Sequence, residues 1–128
     1  MTKPTLKNNL IRISNEIKLA APNKNITLLA VTKTHPIETI KNAQLLGIRC
    51  FGENRVQEAE TKAPHISNNS ELHFIGHLQS NKAKKAVQLF DVIQTIHSLK
   101  LAEKINFHAK KINKKQRIYC QINIGNDP

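Results

Sequence analysis

The sequence predicts an α/β fold of parallel strands, with an arc of a barrel favoured over a doubly wound sheet. Three observations predict it. Short apolar, β-branched runs alternate with segments whose apolar positions recur every three or four residues, at a spacing that suits right-handed crossover connections. No G-x-G-x-x-G follows the first strand and no G-x-x-x-x-G-K-[ST] occurs, which removes the two common nucleotide-binding readings. The carboxyl ends of the strands are the most polar parts of otherwise apolar runs, and in both architectures chemistry gathers at those ends.

The elements follow in order. Leu6, Leu10, Ile13, Ile17 and Ala20 put one apolar stripe on a helix that stops before Pro22. The first strand is Ile26 to Lys33. A helix starts at Pro36, which suits a first turn, and runs through Ile37, Ile40, Ala43 and Leu46 to Gly47, a natural left-handed cap. The second strand is Ile48 to Gly52, and Asn54 with Gln57 reads as a capping box for the next helix. Thr61 to Ser70 reads as a polar loop. The third strand is Leu72 to Leu78, followed by a helix bearing Ala83, Ala86, Val87 and Phe90. The fourth strand is Asp91 to His97. Ser98 caps a helix with Ala102, Ile105 and Ala109 on one face, and the fifth strand is Ile118 to Ile124.

Lys33 is the residue of greatest interest. At the lip of a buried strand, partial desolvation disfavours the ammonium and makes the nitrogen a nucleophile toward an aldehyde, which is Schiff-base chemistry. On position alone, a strand-end lysine that snorkels into solvent is the simpler reading. Alternation places Leu29, Val31 and Lys33 on one side of the first strand, and Cys50, Gly52 and Asn54 on one side of the second. A lysine and an asparagine then meet over a packed interior, with Gly52 leaving room for a planar ring. Asn54 reads equally as a helix cap, and the two roles are compatible.

Other chemistry is less marked. His73 and His77 share a face of the third strand, but no third ligand, H-E-x-x-H or paired C-x-x-C accompanies them, so no metal site is assigned. Cys50 and Cys120 lie far apart in apolar runs and read as reduced, small hydrophobes. Glu53 and Glu58 read as surface or helix-terminus charges. No Ser/His/Asp arrangement with a nucleophile elbow is found.

Composition bounds the rest. The chain of 128 residues, 39% apolar, suits one domain over 1–128. No apolar run approaches the roughly 18 residues of a membrane span, and the amino terminus lacks the apolar block of a secretory signal, so a cytoplasmic location and no membrane partner are expected. The formal charge is +11, yet the densest cluster, Lys110 to Arg117, has no interleaved aromatic residues for base stacking. It reads as a solvated loop, with no nucleic-acid partner expected. Anionic small molecules are still drawn to such a surface.

Four motifs, LLAVTKTHP (Leu28 to Pro36), FGENRVQEA (Phe51 to Ala59), LHFIGHLQSNK (Leu72 to Lys82) and QINIGND (Gln121 to Asp127), occur in an order and spacing that resemble the YggS-type pyridoxal phosphate homeostasis proteins. The resemblance covers nearly the whole chain. It implies a (β/α)8 TIM-barrel type fold like the amino-terminal domain of alanine racemase, with pyridoxal 5'-phosphate (PLP) held as a Schiff base on Lys33 and Asn54 beside it. It also implies intracellular cofactor homeostasis without catalytic turnover. A racemase-like PLP enzyme is the alternative, disfavoured because no second domain offers an opposing acid or base.

The chain departs from that pattern in length. A closed barrel takes roughly 200 to 250 residues, and five strands are counted here. Phosphate sites in such barrels are frequently built by loops after strands seven and eight. Impaired cofactor retention is therefore expected, as are exposed strand edges. A complementing carboxyl-terminal fragment, self-association or a non-functional truncated remnant each fit.

Overall fold

The computed structural model describes residues 5–125. Helix α1 (Leu6–Ala20) precedes β1 (Ala30–Val31), α2 (Ile37–Leu45), β2 (Cys50–Glu53) and α3 (Val56–Lys62), which tightens into a 3-10 turn at Ala63–His65. Then come β3 (Glu71–Phe74), a 3-10 turn at Ser80–Lys82 that feeds α4 (Ala83–Leu89), β4 (Val92–Ile96), α5 (Leu99–Lys111) and β5 (Arg117–Cys120). The five strands are all parallel and lie in the order β1-β2-β3-β4-β5. A doubly wound sheet reverses its strand order at a switch point, and this sheet does not, so the arrangement is an arc of a barrel. No helix among the described residues is long and apolar enough to cross a membrane.

Local chemistry explains most helix ends. Thr5 Oγ1 accepts from the Asn8 amide at 3.2 Å, and Ser98 Oγ accepts from the Leu101 amide at 3.1 Å. Gly47 ends the α2 connection at φ 94°, where a side chain is disfavoured. Pro36 stands at the start of α2 as expected. Asn54 does not cap α3: the N-cap is Arg55, without a side-chain bond, and no capping box forms with Gln57. Extra pairing of the chain after β2 displaces the helix start by a residue, since the Ile75 amide donates to the Glu53 carbonyl at 2.9 Å and keeps the backbone there extended. The segment expected as a loop from Thr61 begins inside α3.

Register divides the sheet into two faces. Phe51, Leu72, Phe74 and Ile93 pack with Ile40, Val87, Phe90, Leu101 and Ile105 in the core between sheet and helices. Phe74 and Phe90 meet with ring centroids 5.0 Å apart and planes tilted by 59°. The alternate residues Gly52, His73 and Val92 are partners across the ladder and lie on the opposite, concave face. The strands are shorter than the apolar runs that encode them. β1 pairs only through Ala30 and Val31, with one further bond from the Thr32 amide to the Gly52 carbonyl at 3.0 Å, so Lys33 lies two residues past the strand. β5 ends at Cys120, and Ile122 and Ile124 are exposed beyond it. Among the described residues both strands have a neighbour on one side only, so apolar sequence alone does not extend the ladder. Asn126 and Asp127 lie outside the described residues.

The basic segment after α5 is only partly a solvated loop. Lys114 Nζ donates to the carbonyls of Val87 at 2.6 Å and Phe90 at 2.8 Å, closing the carboxyl end of α4.

Candidate functional site

The carboxyl ends of β1 to β4 bring Lys33, Asn54, Gly76, His77 and His97 to one edge of the sheet. Lys33 is exposed, and no hydrogen bond or ion pair engages its ammonium among the described residues. The desolvation expected of a lysine at a strand lip is therefore absent, because the strand ends two residues earlier. An uncommitted primary amine at this edge is nonetheless free to meet a ligand.

Asn54 is half-buried directly after β2. Gly76, after β3, passes so close that a Cβ there would fall 2.8 Å from the Asn54 Cα and Cβ and against its carbonyl oxygen. Thr95 Oγ1 donates to the Gly76 carbonyl at 2.5 Å, tying this crossing point to β4. Asn54 lines a cavity of about 300 Å³ with His77, Gln79 and Lys82; Lys33 is not one of its walls. The rings of His77 and His97 stack with centroids 4.8 Å apart. Gly52 offers no open space for a planar ring. A Cβ at that position would meet Leu29 Cδ2 at 2.6 Å and Ile75 Cδ1 at 3.0 Å, so these two side chains fill the position as an apolar floor.

Beneath this edge lies an ion-pair network that the sequence reading missed. Glu53 is fully buried, not a surface charge, and its Oε1 accepts from Lys62 Nζ at 2.7 Å and from Thr32 Oγ1 at 2.6 Å. Lys62 also lies 2.7 Å from Glu58 Oε1 and donates to the Thr32 carbonyl at 2.6 Å. Burial works against the Lys62 ammonium, but the hydrogen bonds to Glu53 and Glu58 outweigh it and raise its pKa. Glu58 is held below the ordinary carboxylate range, chiefly by its bond to Lys62. The signal available in sequence was the Glu58 to Lys62 spacing of four on a helix, with the acid on the amino-terminal side.

The concave face carries a second polar group. His73 sits between Glu71 Oε2 and Gln94 Nε2, each at 2.9 Å, and Arg117 reaches Glu71 Oε1 at 2.6 Å. Glu71 is thereby held below its usual range, first by His73 and then by Arg117. Ligand atoms of Cys50, Glu71 and His73 lie within 4.8 Å of one another. Burial pushes the Cys50 thiol up, away from the thiolate a metal would need, and Glu71 and His73 already satisfy each other. His77, expected on the same face as His73, instead lies past the strand end against His97.

The chain matches the family model described as alanine racemase, N-terminal domain, over residues 4–127. It is 37% identical over 131 residues to the pyridoxal phosphate homeostasis protein of Pasteurella multocida, an alignment that covers 96% of this chain and 56% of that relative. The structure of PipY from Synechococcus elongatus without PLP superposes with a TM-score of 0.87 at 34% identity, covering 97% of this chain and 56% of that one. PipY with PLP bound gives a TM-score of 0.77 at 35% identity, covering 90% and 56%. The chain thus spans just over half the length of the relatives it matches.

Proposed function

This chain belongs to the alanine racemase N-terminal domain family, and from that premise we propose that it binds PLP in intracellular cofactor homeostasis, not in catalysis. Lys33 is the attachment residue: its Nζ adds to the cofactor aldehyde and water leaves as the C=N bond forms. The observation that carries this reading is the exposed, uncommitted Lys33 amine at the carboxyl edge of a parallel barrel arc. Asn54 stands at the neighbouring strand end as the polar group beside the ring, and Leu29 with Ile75 supplies an apolar floor. These residues fit the aldehyde end of the cofactor. The names of the relatives, and the PLP bound by PipY, support the same ligand.

The exposed apolar side chains of Ile118 and Tyr119 on β5, and of Val31 on β1, support closure of the arc by further polypeptide. A complementing carboxyl-terminal segment or a second copy of this chain would complete the phosphate-holding side. Cofactor retention by residues 1–128 alone is accordingly weak.

The test is a titration with PLP followed by absorbance and, after borohydride reduction, by peptide mass mapping, with Lys33→Ala as control. A reduced adduct on Lys33 that is lost in the control is the expected result. Adducts scattered over surface lysines, with Lys33 no more labelled than the rest in a folded sample, would overturn the reading. Light scattering on the same samples reports whether binding accompanies self-association.

A further inference from the structure

The two peptide groups that flank the Lys33 Cα are held by the two members of one ion pair. The Thr32 carbonyl, joined to the Lys33 nitrogen, accepts from Lys62 Nζ at 2.6 Å. The Thr34 amide, joined to the Lys33 carbonyl carbon, donates to Glu58 Oε1 at 2.5 Å. Lys62 and Glu58 lie 2.7 Å apart, and Lys62 is held from the other side by the buried Glu53. Thr32 is tied twice over, since its hydroxyl reaches the same Glu53 oxygen.

Lys33 and Thr34 are the central residues of a turn closed by the His35 amide, which donates to the Thr32 carbonyl at 3.1 Å. Two features point to this turn leaning on the clamp as well. Thr34 has φ 65°, in the left-handed region that β-branched residues rarely adopt. Among the described residues its amide is partnered by Glu58, a side chain 24 residues away in sequence and not a neighbouring strand. Lys33 has left the ladder, so sheet hydrogen bonding does not orient it. Fixing the peptide planes on both sides fixes φ and ψ at Lys33, and with them the direction in which its side chain leaves the sheet edge.

We infer that Lys62 and Glu58 are positioning residues for Lys33: they touch no ligand, but they aim its amine. This rests on Lys33 being the PLP attachment residue, and it predicts that the rate of attachment depends on an ion pair that lies behind the site. Pre-orientation of the amine removes an ordering step from the approach to the aldehyde.

The experiment compares the wild-type chain with Glu58→Ala, Glu58→Gln and Lys62→Met by two readouts. Amide hydrogen exchange over residues 31–35 reports the clamp without any cofactor. The rate of borohydride-trapped PLP adduct at Lys33 reports its consequence. Glu58→Ala leaves the buried Lys62–Glu53 pair in place, so it carries the test if Lys62→Met fails to fold. Expected are at least tenfold faster exchange at Thr34 and at least tenfold slower adduct formation in Glu58→Ala, with exchange in β3 and β4 unchanged. Glu58→Gln, which keeps an acceptor oxygen, should recover part of both. Unchanged exchange at Thr34 overturns the inference, as does wild-type labelling of Lys33 in a variant whose Thr34 has lost protection. Absence of a Lys33 adduct in the wild type would instead remove the attachment reading, and the exchange data would still decide whether the ion pair fixes the segment.

Discussion

Lys62 and Glu53 meet at 2.7 Å with side chains only 4% and 0% exposed. A buried pair of this kind gains little over an apolar replacement, because both ions give up hydration; removing one partner, however, strands the other. Glu53 has no reserve, since its Oε2 is buried and unpartnered among the described residues. Lys62→Met should destabilise the chain by about 3–5 kcal/mol. Adding Glu53→Gln, which removes the stranded charge, should recover a large part of that loss. Urea unfolding of the two single variants and the double variant provides the cycle. A loss within about 0.5 kcal/mol for Lys62→Met would show that the pair is hydrated in solution.

Two carboxylates, one in this network and one on the concave face, contribute to the acid limb of stability. Glu58 and Glu71 are both held below the ordinary carboxylate range, the first chiefly by Lys62 and the second by His73 and then Arg117. As pH falls below about 4.3, the unfolded chain takes up these protons before the folded one does. Their contribution is complete above that pH and is lost as pH falls through the folded-state values. On the alkaline side two lysines oppose each other. Lys62 is raised, so its contribution holds below about pH 10.4 and is lost above it, whereas burial lowers Lys114, which favours folding as pH rises toward the same value. Thermal unfolding from pH 2 to 6 should therefore show a steeper loss for wild type than for Glu58→Gln. Equal slopes would mean that Glu58 and Lys62 are not coupled in solution.

Which parts of this molecule were legible in its sequence follows from what each signal depends on. Helix stripes were read in part, because they depend on spacing but their burial depends on a partner: Ile40 and Ala43 in α2, and Ile105 and Ala109 in α5, are buried, Ala102 is only half-buried, and no residue of the α1 stripe is buried. The alternation of strands and helices gave the parallel arc because it depends on spacing alone. Strand ends were misread because they depend on the partner. Ile26 to Thr32 is apolar enough for a long strand, but β2 offers it only a short ladder, and Lys33 is exposed as a result. The Gly52 misreading has the same origin, since the residues that fill its space, Leu29 and Ile75, come from two other strand segments. Lys62 was hidden because nothing in VQEAETK tells which polar residue of the helix turns toward the sheet. Its burial depends on Glu53 facing it from β2.

Lys114 offers a contrast within one basic cluster. Its ammonium closes the last carbonyls of α4 through Val87 and Phe90, and burial holds its pKa below the ordinary lysine value. Neighbouring Lys115 is exposed. Charge-assisted bonds of this kind are each worth about 1.5–3 kcal/mol before the desolvation of the ammonium is counted against them. Lys114→Met should accordingly destabilise by about 1–2 kcal/mol, whereas Lys115→Met should stay within about 0.5 kcal/mol. Equal unfolding midpoints for the two variants would show that the α4 carbonyls are satisfied by water instead.

Gly47 and Gly76 are both needed, for different reasons that substitution can separate. Gly47 has φ 94° and open space around its Cα, so Gly47→Ala meets only backbone strain, on the order of 1–2 kcal/mol. At Gly76 the obstacle is the Asn54 backbone. A methyl group there would sit 2.8 Å from the Asn54 Cα and against its carbonyl, and neither belongs to a flexible side chain that can move aside. Gly76→Ala must push the ends of β2 and β3 apart, an overpacking effect of about 1–3 kcal/mol or more. Because Asn54 follows β2 directly, the displacement falls on the candidate site. Gly76→Ala should lower PLP labelling of Lys33 by more than Gly47→Ala does at a temperature where both variants remain folded. If the two variants label alike, the Asn54 crossing is not part of what shapes the cofactor edge.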